Sequence, residues 1–492
     1  MSEPSGDRVR QPSLALALSP IALLTALLAA NIALMGDSAI EGPNQVALLI
    51  AAAFAALIAI RRGYRWADLQ HSMIESIGIA MPAILILLVV GSLAGAWLIG
   101  GIVPSLVYFG LVLLDPSIFL VACCISCALT SLAAGSSWTT SATLGIALMG
   151  IGQAMGLPLH WVAGAIISGA YFGDKLSPLS DTTNLASAVS GSELFSHIRY
   201  LSLTTVPSLA ISLLIFAVVG WQLPVSNDGP SVAETLTVLE QTVNISGWTL
   251  LVPAAVIALI LKRVPALPAL TAGTVLGLVS ALLLQQELLA TLSNANASPV
   301  YSVMFQALSG DIGLSTGDAA LDKLLSSGGM AGMLNTVWLI MCAMVFGGVM
   351  HGSDALARIS AALLSRVKSD ASLIQTTGAT CIFSNCAAPD QYLSIAVPGQ
   401  MYKPVYRERG LAPENLSRTL EDTGTVTGVL IPWNTCGAYH AGVLGIATMS
   451  YAPFALFCLI SPVMTLIFAH FNIRIARLPA QGQTEALTAK TA

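Results

Sequence analysis

The chain has 492 residues, 55% of them hydrophobic and only 9% charged, with a formal net charge of −5 and a mean hydropathy of +0.80. The net charge says little about partners, but no nucleic acid is expected among them, and no polar block is long enough for a separate soluble domain. Apolar stretches of bilayer-spanning length recur from Leu14 to Phe471, so the expectation is an all-α polytopic membrane protein.

The first stretch, Leu14–Met35, follows a short polar start and carries no small-residue cleavage site, so it reads as a retained span rather than a signal peptide. Basic residues gather at Arg8/Arg10, Arg61/Arg62/Arg65, Arg199, Lys262/Arg263, Arg358/Arg366/Lys368, Lys403/Arg407/Arg409/Arg418, Arg474/Arg477 and Lys490. The excess of lysine and arginine in cytoplasmic loops puts all of these clusters inside. Under that constraint Leu14–Met35 goes out, Val46–Ile60 returns and Ile77–Leu98 goes out. No lysine or arginine then occurs between Arg65 and Lys175. Leu201–Leu223 leads out to an acidic loop with Asp228, Glu234 and Glu240, Thr249–Leu261 returns, and Leu267–Leu284 leads to a second external loop with Glu287, Asp311, Asp318 and Asp322. Leu334–Met350 comes back, Val426–Ile446 crosses outward, and Pro453–Phe471 ends inside, with both termini cytoplasmic.

Two segments do not fit simple spans. Ala371–Val397 is flanked on both sides by basic clusters, and Ser384, Asn385, Pro389, Asp390 and Gln391 interrupt its apolar run. It reads as a re-entrant hairpin, whose irregular tip is tolerated at membrane depth only where it lines a cavity. A matching tip, Gly135-Ser136-Ser137-Trp138-Thr139-Thr140, lies 254 residues earlier in a region free of basic residues. At the same offset Leu176-Ser177-Pro178-Leu179-Ser180-Asp181-Thr182 answers Leu430-Ile431-Pro432-Trp433-Asn434-Thr435-Cys436. The expected architecture is an inverted-topology repeat with about ten full spans, two re-entrant hairpins and two proline-broken helices. The first half is 1–230, with a hairpin at about 118–155 and a broken helix at about 170–190. The second is 231–492, with a hairpin at about 371–397 and a broken helix at about 422–446. Such repeats place their binding site near the bilayer midplane, where unwound carbonyls and half-helix dipoles meet the cargo.

The polar run from Gly173 to Asn184 sets two carboxylates, a lysine, hydroxyls and an amide into oily sequence. A charge at the bilayer centre costs roughly 2.5 kcal/mol or more, which makes intramembrane charges functional-site candidates. Asp174 and Asp181 lie seven residues apart across Pro178, where unwinding is expected. A carboxylate in low dielectric holds a proton more tightly, and a nearby cation loosens it. One site can therefore accept a proton or a sodium ion in alternation. The candidate ion or substrate ligands are Asp174, Asp181, Thr182, Thr183, Asn184, Ser136, Ser137, Asn385, Asp390, Asp422, Asn434 and Thr435, with Asp181, Thr182 and Asn434 as the sodium ligands. Structural alternatives stand beside them. Asp174 could pair with Lys175 or cap a helix; Asp181 could join a helix-knitting polar network; Glu421 and Asp422 could answer the dipole at the start of a span. Lys175 could serve as a tethered internal cation or snorkel to the interface. His71, His197 and His470 read as interfacial, and His440 as a packed neutral residue.

The eight cysteines all lie in apolar segments, which argues against a disulfide framework. Cys123-Cys124-x-x-Cys127 has no histidine pattern to complete a metal site and reads as small packing residues.

The stretch Gly169-Ala170-Tyr171-Phe172-Gly173-Asp174-Lys175-Leu176-Ser177-Pro178-Leu179-Ser180-Asp181-Thr182-Thr183-Asn184-Leu185-Ala186 resembles the signature of the NhaC-type sodium/proton antiporters. The runs Asn385 to Gln391, Glu421-Asp422-Thr423-Gly424 and Ile431-Pro432-Trp433-Asn434-Thr435-Cys436-Gly437-Ala438-Tyr439 are similar to the same family. The resemblance implies a secondary transporter in a prokaryotic plasma membrane, with sodium and protons as transported species, no cofactor and no enzymatic activity. It also leaves open a sodium- and proton-coupled exchanger of organic acids such as malate or lactate. A small carboxylate, the lipid bilayer and a homodimeric partner complete the expected partners. An intramembrane aspartyl protease, suggested by Phe172-Gly173-Asp174, leaves the repeat unexplained, and a passive channel suits two interrupted acidic helices less well than occlusion does.

Overall fold

The computed structural model describes residues 12–35, 39, 41–223, 232–295, 297–317, 319–365 and 367–478. Arg8, Arg10, Asp228, Asp318, Arg366 and Lys490 lie outside the described residues. The described residues are helical almost throughout; a two-stranded ribbon pairs Ile312 with Ser327 and Gly313 with Ser326 in the second long loop. Among the described residues seven helices are long and apolar enough to cross a bilayer: Leu14–Met35, Pro43–Arg61, Trp66–Ile99, Pro116–Ala134, Leu194–Gln222, Ala266–Leu284 and Ala331–Gly352. The number rises to nine if each of two bent pairs forms one span, Glu234–Thr242 with Gly247–Leu261 and Thr448–Phe454 with Leu456–His470.

Both expected hairpins are present. The first runs in along Pro116–Ala134, where Asp115 caps the N-terminus and proline opens the first turn. Gly135 ends that helix at φ 70°, a left-handed backbone that glycine adopts without steric cost. The chain then returns through Ser137–Thr140, a π-turn at Ser141–Gly145 and Ile146–Ala154. Phe119 lies across from Gly152, each nearly equidistant from the tip, so the arms are antiparallel. In the second hairpin, Asp370–Ala387 returns as Gln391–Glu408. Its antiparallel register is fixed by hydrogen bonds between Thr380 and Tyr402 (2.7 Å) and between Tyr406 and Thr377 (3.2 Å). The returning arm ends at Glu408 rather than near Val397, because Pro398 and Pro404 sit within the helix without ending it.

Helix boundaries repeat at the offset of 254 residues. The first broken helix is Leu159–Leu176, an extended break at Ser177–Ser180, and Asp181–Ser190. The second is Pro413–Leu420 continued by a π-turn at Glu421–Thr425 and a 3₁₀ turn at Gly428–Leu430, a break at Ile431–Asn434, and Thr435–Leu444. Both end on a left-handed glycine, Gly191 (φ 83°) and Gly445 (φ 67°). Individual hydrogen bonds repeat as well. Ser131 donates to the Ala170 carbonyl at 2.6 Å and Asn385 to the Gly424 carbonyl at 2.7 Å. Thr140 donates to the Ser136 carbonyl and Ser394 to that of Asp390, both at 2.9 Å.

Small residues seat each broken helix on its hairpin. A Cβ on Gly169 would stand 2.0 Å from the Cys124 carbonyl oxygen, and one on Gly173 would stand 2.3 Å from that of Ala128. Such close backbone approach is how helices associate where lipid removes the ordinary hydrophobic drive. Cys123, Cys124 and Cys127 are free, buried packing residues in that contact.

Two expectations about position need correction. The second broken helix begins at Pro413, so Glu421 and Asp422 lie mid-helix and buried rather than opening a span. The segment Pro413–Leu420 is too polar to read as membrane-embedded, yet Asn415, Ser417, Arg418 and Thr419 are all buried against neighbouring helices. His197, expected at the interface, is also fully buried.

Candidate functional site

A cavity of about 700 Å³ opens where the two hairpin tips meet the break of the first half-helix pair. Ser136, Trp138 and Thr139 come from the first tip, Asp390, Gln391 and Tyr392 from the second. Asp174, Ser180, Asp181 and Thr182 come from the first broken helix, and Thr435 from the second. The wall also includes the Ile79–Ile86 face of the long helix Trp66–Ile99 together with Ile260 and Arg263 to Ala266.

Pro178 explains why the acidic groups converge. Without an N–H, proline cannot continue the helical ladder, and the residue before it is pushed to extended backbone. Ser177 accordingly sits at φ −81°, ψ 127°. Asp174 is left in the last turn of one half-helix, and Asp181 becomes the first residue of the next. Asp174 Oδ2 accepts from the Ser137 backbone N–H at 3.0 Å and from its hydroxyl at 2.6 Å, which locks this carboxylate to the hairpin tip. Asp181 is exposed to the cavity, beside the buried Thr182.

At the second tip Asp390 caps the returning arm, Oδ1 accepting from the Tyr392 and Leu393 N–H groups at 2.9 and 3.2 Å. Its other oxygen faces the Thr435 hydroxyl at 3.5 Å, and the Thr435 N–H donates to the Pro389 carbonyl at 2.9 Å. Ser136, at the equivalent position of the first tip, caps Thr139 with a neutral hydroxyl at 3.2 Å. The acidic charges are therefore distributed unequally, two from the first broken helix and one from the second tip.

Six of the twelve sequence candidates line the cavity: Ser136, Asp174, Asp181, Thr182, Asp390 and Thr435. The other six lie behind or beside it. Ser137 holds Asp174; Thr183 donates to the Lys175 carbonyl at 3.1 Å; Asn184 Nδ2 donates to the Pro178 and Ser180 carbonyls at 2.9 and 2.8 Å. Asn434 Nδ2 donates to both the carbonyl and the side-chain oxygen of Asn385, each at 3.1 Å, while its own oxygen caps the Cys436 N–H at 3.0 Å. These two amides knit the second break together. Asp422 is fully buried in an ion pair with Lys175, and Ser461 (2.9 Å), Thr204 (2.7 Å) and Thr465 donate to it. Lys175 thus pairs with the second half rather than with Asp174 or the interface.

Sequence reasoning missed Trp138, Tyr392 and Arg263 in the cavity wall. Trp138 stacks on Tyr439 at 4.2 Å between ring centroids and accepts from its hydroxyl through the backbone carbonyl at 3.1 Å, tying the first tip to the second half. Both aromatic residues adjoin polar tips, which was the available signal. Nothing in the Lys262–Pro265 turn marked Arg263, since only tertiary folding brings that turn to the tips.

A model of the Na+/H+ antiporter family matches residues 169–473. The Na(+)/H(+) antiporter NhaC of Alkalihalophilus pseudofirmus is 36% identical over 435 residues, covering 88% of this chain and 91% of that protein. The malate-2H(+)/Na(+)-lactate antiporter of Bacillus subtilis is 34% identical, covering 87% of this chain and 89% of its own length. The arginine/ornithine antiporter ArcD of Halobacterium salinarum is 35% identical over 94% of this chain and 92% of its own.

Proposed function

The chain belongs to the Na+/H+ antiporter family, and from that premise we propose a secondary active transporter that exchanges sodium for protons by alternating access across a prokaryotic plasma membrane. The observation that carries this reading is the convergence of Asp174, Asp181 and Asp390 on one cavity between the two hairpin tips. Three carboxylates sharing a partly dry space repel one another unless protons or a cation intervene, so proton and sodium occupancy exclude each other. Transport then needs no cofactor and no catalysis; sodium and protons are the cargo.

Asp181 and Thr182, with Asp390 and Thr435 across the cavity, would supply sodium with hard oxygen ligands. Asn434 acts by shaping the second break, since its amide is engaged with Asn385 and Cys436. We divide the chain into a first half at 1–230 and an inverted second half at 231–492, each giving one hairpin and one broken helix. The turn with Lys262 and Arg263 borders the cavity, so its mouth is assigned to the cytoplasmic side with both termini.

The test is proton movement in everted membrane vesicles with an imposed pH gradient. Adding sodium should collapse the gradient in vesicles holding the protein and leave control vesicles unchanged; no sodium response would overturn the reading. Arg263 on the wall, the tip hydroxyls and a volume well above that of one cation favour a second reading, exchange coupled to a small organic acid such as malate or lactate. Saturable, sodium-dependent uptake of labelled malate or lactate would establish it.

A further inference from the structure

Behind the cavity lies a second set of ionisable groups that the exchange reading leaves without a role. Glu421 is fully buried, and among the described residues neither carboxylate oxygen makes a hydrogen bond of ordinary geometry, the neighbouring hydroxyl being that of Thr425. It sits at the start of a π-turn, Glu421–Thr425, a local distortion found mostly at functional positions. A buried carboxylate with no partner is tolerated as the neutral acid and is costly as the anion.

Its surroundings are specific. Lys175 and Asp174 on the first broken helix and Asp422 beside it lie within electrostatic reach. Arg418, one turn earlier, is buried with all three guanidinium nitrogens unbonded among the described residues, stacked over Tyr200 at 4.5 Å and Phe468 at 5.5 Å. His197, on the helix Leu194–Gln222, has no partner for either ring nitrogen among the described residues and lies near Asp422 and Lys175. The second hairpin presents Cys381 toward Thr423, and Tyr406 toward Thr377 and Arg418. The last helix offers the neutral hydroxyls of Ser461 and Thr465. Asp181, at the start of Asp181–Ser190, faces the cavity instead.

With Glu421 protonated, Lys175 is balanced by Asp422. Loss of that proton adds a negative charge within electrostatic reach of Lys175. Lys175 directly follows Asp174, whose carboxylate is held by the hairpin tip, so a displacement of this half-helix end by a cation at Asp174 also moves the ammonium group. We propose that Glu421 is a proton-carrying site separate from the cation cavity, coupled to it through Lys175, which is shared between Asp422 and Glu421. The proposal rests on the sodium/proton exchange reading and assigns its proton to a residue outside the cavity.

The test uses full-length protein in proteoliposomes and two measurements: exchange of radioactive sodium for unlabelled sodium without a pH gradient, and sodium-driven proton flux. Glu421→Gln should keep sodium-for-sodium exchange within about twofold of wild type and lose proton flux by tenfold or more. A variant that keeps proton flux overturns the assignment and leaves the exchange reading intact. Wild-type protein that exchanges sodium without moving protons overturns both. A second measurement needs no variant: a hydrophobic carbodiimide, which attacks protonated buried carboxyls, is applied to the wild type and the label located by peptide mass. Labelling of Glu421 that fades as pH rises supports the site; absence of label at every pH overturns it.

Discussion

Lys175 of the first broken helix and Asp422 of the second form an ion pair in which both side chains are fully buried, the only such pair among the described residues. Three hydroxyls, from Thr204, Ser461 and Thr465, satisfy the remaining acceptor capacity of the carboxylate. The pair joins the two halves behind the cavity.

Removing one partner leaves the other charge buried and unpaired, which typically costs about 3–5 kcal/mol. Lys175→Met should therefore lower the unfolding midpoint sharply in detergent. The double variant Lys175→Met, Asp422→Leu should recover much of that loss. Tryptophan fluorescence on heating measures both, and a double variant no more stable than the single one would contradict the account.

Asp181 faces the cavity and has no ion pair among the described residues. Asp181→Asn keeps the shape and removes the charge, so sodium-dependent proton movement in vesicles should fall to background while expression and size-exclusion profile are unchanged. Intact exchange in this variant would remove Asp181 from the ion site.

Ser137 gives Asp174 one hydrogen bond from its backbone and one from its side chain. Ser137→Ala keeps the first and loses the second, a bond to a charged group worth about 1.5–3 kcal/mol. If Asp174 contributes to sodium binding, the half-saturating sodium concentration should shift by roughly tenfold or more. An unchanged concentration with a lower melting temperature would mean that the contact is structural only.

Gly169 is a test of packing. Any Cβ there meets the Cys124 carbonyl at 2.0 Å, a backbone atom that cannot swing away. Gly169→Ala should destabilise by about 1–3 kcal/mol, the usual cost of overpacking. Gly78, where an added Cβ would meet nothing within 4 Å, serves as the control. Gly78→Ala should be neutral or slightly stabilising, as alanine is the better helix former.

The membrane class, the hairpins, the breaks and their repeat were legible in the residues, because each depends on local rules: apolar length, proline's missing N–H and the conspicuous cost of polar groups in lipid. Asp174, Asp181 and Asp390 could be named for the same reason. Arg418, His197 and Glu421 could not be placed, since a polar segment such as Pro413–Leu420 looks like a loop until neighbouring helices enclose it. The amino-acid order by itself determined where the helices break and which groups are too polar for their setting. Tertiary structure alone decided that Lys175 meets Asp422 across 247 residues, that Asn434 turns to Asn385, and that Arg263 reaches the tips. The physical reason is that local propensity acts within a few residues, whereas a buried charge takes its partner from whichever segment packing brings near.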